Sequence, residues 1–234
     1  PMSTTSRTPR SISAETSETI SSASFLASAT EESVEATLEL AESRAEGVRS
    51  CPIIMCGCVP SRYGDDLPEQ LPEVAAFVKA EEEDGIVDVV AGVLGVSVGA
   101  PVLDAGAMLR TVQGASAFVK ISEGCDRRCS YCAIPFIRGA HRSVPMEDLV
   151  AEAASLAATG VKELVLIAQD TTYYGLDLYR KRALGELLQK LSEVPGIEWI
   201  RIHYSYPADF PEDVLDQMAN NPKVCRYMDI PLQH

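Results

Sequence analysis

The sequence predicts an α/β chain, a small α/β layer followed by the first part of a parallel sheet or (β/α) partial barrel. Three observations predict it. Short apolar runs alternate with stretches of helical periodicity along the chain. Residues 95–116, rich in Gly, Ala and Val with Pro101 among them, lack steady periodicity and separate two such series as a linker. In the second series the strands are spaced by whole helices, as right-handed βαβ units require.

Residues 1–22 are dominated by Ser and Thr, with Arg7 and Arg10 the only bases and Glu15 the first acid, and read as disordered. A Ser-rich, acid-poor start also resembles an organelle transit peptide, so an organelle stays open beside the cytoplasm. In the first layer, residues 23–94, Val34, Leu38, Leu40 and Ala45 among glutamates predict an amphipathic helix over Thr30–Glu46, closed by Gly47. Pro52–Met55 is a short strand ending at Cys56-Gly57-Cys58, and Pro72–Val78 followed by Ile86–Leu94 repeats strand and helix.

In the second layer, residues 117–234, Ala117–Ile121 reads as a strand and Met146–Thr159 as a helix, with Pro145 at its start and Gly160 at its end. Glu163–Ala168 is a buried strand; Ala183–Glu193, Glu198–Tyr204, Pro211–Asn220 and Tyr227–Ile230 continue as helix, strand, helix and strand. Four strands with three helices between them result. No helix follows the last strand, which leaves a sheet edge that is normally covered or closed, and a fragment of a longer protein is expected.

Net charge is −14, from 34 acids against 20 bases, so this part repels polyanions and tight nucleic-acid binding is not expected. No apolar stretch has the length of a membrane helix, and no apolar segment follows a charged start. Seven cysteines in such a chain point to a reducing compartment, where grouped cysteines serve as metal ligands more often than as disulfides.

Cys125, Cys129 and Cys132 put three thiols in eight residues just after a predicted strand. One loop can therefore wrap one inorganic cluster. Three thiolates on a four-iron cluster leave the fourth iron open, a vacancy that the amino and carboxylate groups of S-adenosylmethionine (SAM) can chelate. Zinc with His141 as fourth ligand is the competing reading, although the gap between Cys125 and Cys129 fits paired zinc hooks poorly. Chance clustering of buried cysteines is the remaining one.

The spacing C-x3-C-x2-C, with Tyr131 before the last cysteine, resembles the radical SAM motif. GCDRRCSYCAIPFIRGAHRS over 124–143, IAQDTT over 167–172 and DIPLQH over 229–234 narrow the likeness to the methylthiotransferase family, on the branch that modifies a ribosomal-protein aspartate (RimO-type). The likeness is nearly continuous from Ala117 to His234. A weaker one over Phe25–Val78 resembles that family's amino-terminal domain, with Cys58 at the position of its third cluster cysteine; Ala23 stands at the second, and residues 1–22 hold no cysteine for the first.

The resemblance implies a 4Fe-4S cluster with SAM, reduced by an external electron donor, that breaks the sulfonium bond to give an adenosyl radical. It also implies a second 4Fe-4S cluster in the intact family enzyme, as the site where sulfur is methylated, and methylthio transfer to an aspartate β-carbon of a small-subunit ribosomal protein. With one of three auxiliary cysteines and a partial barrel, residues 1–234 alone are expected to be inactive in transfer. Cys51 and Cys56 are alternative ligands or plain core, and Cys225 is assigned to packing. The rival readings are the tRNA adenosine methylthiotransferase branch (MiaB-type) and a noncatalytic, degenerate iron–sulfur protein.

Strand ends of a parallel barrel carry its reactive groups, which singles out Gln169, Asp170, Tyr204, Tyr206 and Gln233. By resemblance Gln169 and Asp170 lie near the SAM amino group; Asp170 equally reads as a carboxylate capping the loop ahead of Thr171 and Thr172. Tyr131 is placed to pack on adenine and shield the cluster. Arg138 and Arg142 flank Gly139 as carboxylate contacts or solvated charges.

Overall fold

The structure is a computed structural model that describes residues 24–99 and 114–230, with backbone only over 24–28. The readings of residues 1–22, of most of the 95–116 linker and of Gln233 lie outside the described residues. The chain divides into two compact units, one drawn from Pro1–Val102 and Cys129–Arg138, the other from Leu103–Arg128 and Gly139–His234.

In the first unit helix α1 (Ser24–Ala45) begins before the expected Thr30, because the preceding Leu26, Ala27 and Ala29 favour helix and no Gly or Pro interrupts them. It ends in a Schellman motif: Gly47 takes φ 76°, its N–H donates to Arg44 O, and the Val48 N–H donates to Ser43 O. Strands β1 (Ile53–Gly57) and β2 (Val74–Lys79) pair in parallel, joined through helices α2 (Cys58–Tyr63) and α3 (Leu67–Gln70). Helix α2 was not expected; Pro60 is tolerated there because first-turn N–H groups lack helical acceptors anyway. Val34, Met55, Leu67, Leu71 and Val74 form the core, and α4 (Ile86–Leu94) ends at the left-handed Gly95.

The second unit is built on a parallel sheet, β3 (Ser116–Lys120), β6 (Glu163–Ile167) and β7 (Trp199–Ile202), in that spatial order. Between β3 and β6 the chain forms a two-residue antiparallel pair, β4 (Ser122–Glu123) with β5 (Arg142–Ser143), and the short helix α5 (Ile134–Arg138), which belongs to the first unit. The crossovers are α6 (Met146–Ala158) and, after the single turn α7 (Leu176–Tyr179), α8 (Leu184–Ser192); α9 (Glu212–Asn220) follows β7.

One face of this sheet makes the core. Ala117 and Val119, Leu164 and Leu166, and Ile200 and Ile202 meet Leu149, Ala153 and Leu156 of α6 and Leu184, Leu187, Leu188 and Leu191 of α8. That last set recurs at helical spacing, and each fully buried leucine contributes about 2 kcal/mol. Register places Phe118, Val165 and Arg201 side by side on the opposite face, where Phe118 is exposed.

The fourth strand expected over Tyr227–Ile230 is not present. Its place is taken by a single parallel bridge between Ile200 and Val224, with Ile200 N donating to Lys223 O and Cys225 N to Ile200 O. The chain meets β7 immediately after α9, earlier than the apolar run suggested. Asp229 then takes the Tyr204 N–H on its carboxylate and the Ser205 N–H on its main-chain carbonyl, so one residue's side chain and backbone together hold what a ladder would have held. Among the described residues no helix is long and apolar enough to cross a membrane.

Candidate functional site

Beyond the carboxyl end of β6 the chain runs through Ala168, Gln169 and Asp170. Gln169 Nε2 donates to Glu123 Oε1 at 3.0 Å, while its Oε1 is buried with no hydrogen-bond partner. Asp170 is 2% exposed and fully engaged. Its Oδ1 accepts the Thr172 N–H at 2.9 Å and the Thr172 hydroxyl, capping the turn at Thr171–Tyr173, and its Oδ2 accepts Arg127 Nε at 2.9 Å. The Arg127 guanidinium lies 4.0 Å from the Tyr206 ring centroid and 4.7 Å from that of Tyr173, within cation–π range of both. Its Nη2 is buried without a partner.

Arg127 sits inside the cysteine loop. The loop opens at Gly124, φ 77°, where any Cβ would overlap the Ala140 carbonyl, so only glycine lets the chain pass. The Cys125 N–H donates to Gly139 O at 3.1 Å, Asp126 Oδ1 accepts the His141 N–H at 3.1 Å, and Cys125 is buried. Cys129 and Cys132 are half-buried members of the first unit, joined by a turn in which the Cys132 N–H donates to Cys129 O. Tyr131 between them is exposed. Among the described residues no three His, Cys, Asp or Glu side chains are gathered as a metal-binding group. The fit to a cluster is one of donor chemistry: three thiols in eight residues, on a loop that opens at a position, Gly124, with no room for a Cβ.

Cys58 is exposed as the first residue of α2, and Cys51 and Cys56 are exposed as well. Cys225 is half-buried against β7, where burial pushes its thiol up from the ordinary value. His141 is buried, places Nε2 3.1 Å from the Ser143 hydroxyl and packs its ring on the edge of Tyr173. The Ser143 hydroxyl in turn donates to Asp177 Oδ1 at 2.6 Å and accepts the Gly175 N–H. Burial alone would raise the Asp177 carboxyl, but the hydroxyl and N–H of Ser143 hold it below its ordinary value. Tyr204 takes φ 58°, a left-handed conformation unusual for a tyrosine; its N–H donates to Asp229, and its carbonyl accepts the Thr171 N–H.

The model of the Radical SAM superfamily matches residues 119–234. The chain is 47% identical to the ribosomal protein uS12 methylthiotransferase RimO of Christiangramia forsetii over 92% of its own length and 46% of the relative's. It is 48% identical to the RimO of Flavobacterium johnsoniae, over 92% of this chain and 48% of that one. The chain belongs to the radical SAM superfamily. It spans about half the length of the curated relatives it matches. Among solved structures, the radical S-adenosylmethionine methyltransferase TsrM of Kitasatospora setae aligns with TM-score 0.53 at 16% identity, over 78% of this chain and 42% of that chain, a likeness of fold.

In this radical SAM chain the polar groups of the second unit converge past the carboxyl ends of the parallel strands, where such a sheet places its reactive groups. Sequence reasoning selected Gln169, Asp170, Tyr204 and Tyr206 on that ground. It missed Arg127 as a partner of Asp170, and it missed the His141–Ser143–Asp177 chain. The Arg127 contact joins residues 43 apart, and the one available signal was an arginine inside a cysteine loop.

Proposed function

We propose that the protein is a radical SAM methylthiotransferase that transfers a methylthio group to the β-carbon of an aspartate in ribosomal protein uS12. What carries the reading is identity of 43–48% over about nine-tenths of the chain to uS12 methylthiotransferases, across a segment that keeps all three cysteines of the radical SAM motif. Cys125, Cys129 and Cys132 would hold a 4Fe-4S cluster whose open iron is left to SAM. When bound and reduced by an external donor, that cluster supplies the electron that cleaves SAM, which suits a target carbon too unactivated for a base to deprotonate. Cys58 would contribute to the family's second cluster.

The chain's own residues then bind and shield. Gln169 keeps a buried acceptor, Oε1, matched to the SAM amino group, and Tyr131 offers a ring to the adenine. The net charge of −14 favours a protein substrate, rich in bases as ribosomal proteins are, over a bare nucleic acid. The test is mass spectrometry of uS12 after incubation with SAM, dithionite and the full-length protein purified anaerobically from its host. A gain of one methylthio group on an aspartate is expected; modification of tRNA adenosine, or none with the cluster intact, overturns the reading.

A further inference from the structure

We propose that Arg127 and Asp170 form a latch that positions Cys125 for cluster binding, an inference that rests on Cys125 being a cluster ligand. Cys125 lies between two polar ties. Glu123, two residues before it, accepts Gln169 Nε2, and Arg127, two residues after it, donates to Asp170. Gln169 and Asp170 are consecutive residues, two and three past the end of β6, so both sides of Cys125 are tied to one short segment leaving that strand. The Cys125 N–H, bonded to Gly139 O, adds a third restraint.

Stability alone does not account for the pair. Removing a carboxylate as buried as Asp170 from water carries a large desolvation penalty, and an apolar pair would fill the space at lower cost. What the pair supplies is geometry. Asp170 is held by two bonds from Thr172 and cannot follow a moving arginine. Tyr173 and Tyr206 confine the plane of the guanidinium, which a flexible ammonium would not respect. Arg127 Nη2, buried with no partner, leaves a donor uncompensated in a loop whose other function is to present thiolates. Arg127 and Asp170 are positioning residues.

The test compares Arg127→Ala, Arg127→Lys and Asp170→Asn with the wild type and with Glu163→Gln, which breaks the other ion pair of β6 at its far end. After anaerobic reconstitution, iron release to a chelator, the midpoint potential and the electron paramagnetic resonance of the reduced cluster with and without SAM are measured. Arg127→Ala should release iron roughly 10–100-fold faster and shift the resonance, as loss of groups that orient metal ligands typically does. Arg127→Lys should recover part of the loss and Asp170→Asn should resemble Arg127→Ala, while Glu163→Gln leaves release and resonance unchanged. Wild-type behaviour of Arg127→Ala overturns the latch, and so does an equal effect from Glu163→Gln. A wild type that binds no iron refutes the cluster reading itself, a result distinguishable from failure of the latch.

Discussion

At the start of β6, Glu163 accepts Arg201 Nε and Nη2 at 2.9 Å and the Ser116 hydroxyl at 2.7 Å. Three residues past its other end, Asp170 pairs with an arginine as well, yet that arginine keeps a buried Nη2 without a partner, and the neighbouring Gln169 keeps a buried Oε1 without one. Both ends are ion-paired, but only one is saturated. The Ser116 hydroxyl, and after it Arg201, hold the Glu163 carboxyl below the ordinary glutamate value against the opposing effect of burial. Buried polar atoms are normally satisfied, so the two open atoms past the second end are what the proposed ligand site would use, while the first end has none to offer.

Substitutions separate these regions by what they cost. The largest effect on stability is expected from Leu164→Ala, which empties a fully buried position on the helix-covered face and should destabilise the second unit by about 3 kcal/mol in denaturant unfolding. Gly124→Ala should cost about 2 kcal/mol for its left-handed conformation, with the overlap on Ala140 added, and it should also lower iron uptake, since the loop can no longer close. Glu163→Gln should cost about 1 kcal/mol and leave iron uptake intact. The comparison fails if Glu163→Gln and Gly124→Ala affect iron equally.

The smallest effect is in pH. Because folding lowers the Glu163 carboxyl, its contribution is fully present above the ordinary glutamate value and is lost as pH falls through the lowered one. Unfolding free energies measured from neutral into acid should therefore decline less steeply for Glu163→Gln than for the wild type. An identical slope would show that the pair is merely a surface contact.

Elements with strong local signals were legible in the sequence. The α8 leucines recur at helical spacing, and Pro145 and Gly160 bracket α6 as start and stop signals should. The β3, β6 and β7 strands lie within two residues of their expected bounds. Tyr227–Ile230 misled because a short apolar run predicts burial but not pairing, and the Asp229 carboxylate competed for the backbone. At the site, the proposed cluster chemistry rests on the cysteine spacing, which is local in sequence and so was legible. The Asp170–Arg127–Tyr206 stack was not legible, because it joins the cysteine loop, the end of β6 and the segment after β7 only once the sheet has formed.

The most direct test of the account is the iron and labile sulfide content of the anaerobically reconstituted protein and of its Cys125→Ala, Cys129→Ala and Cys132→Ala variants. The account predicts a four-iron cluster that each of the three substitutions abolishes, while Cys225→Ala retains it. A stoichiometric zinc content that survives iron loading, or a cluster that persists in any of the three variants, would contradict it.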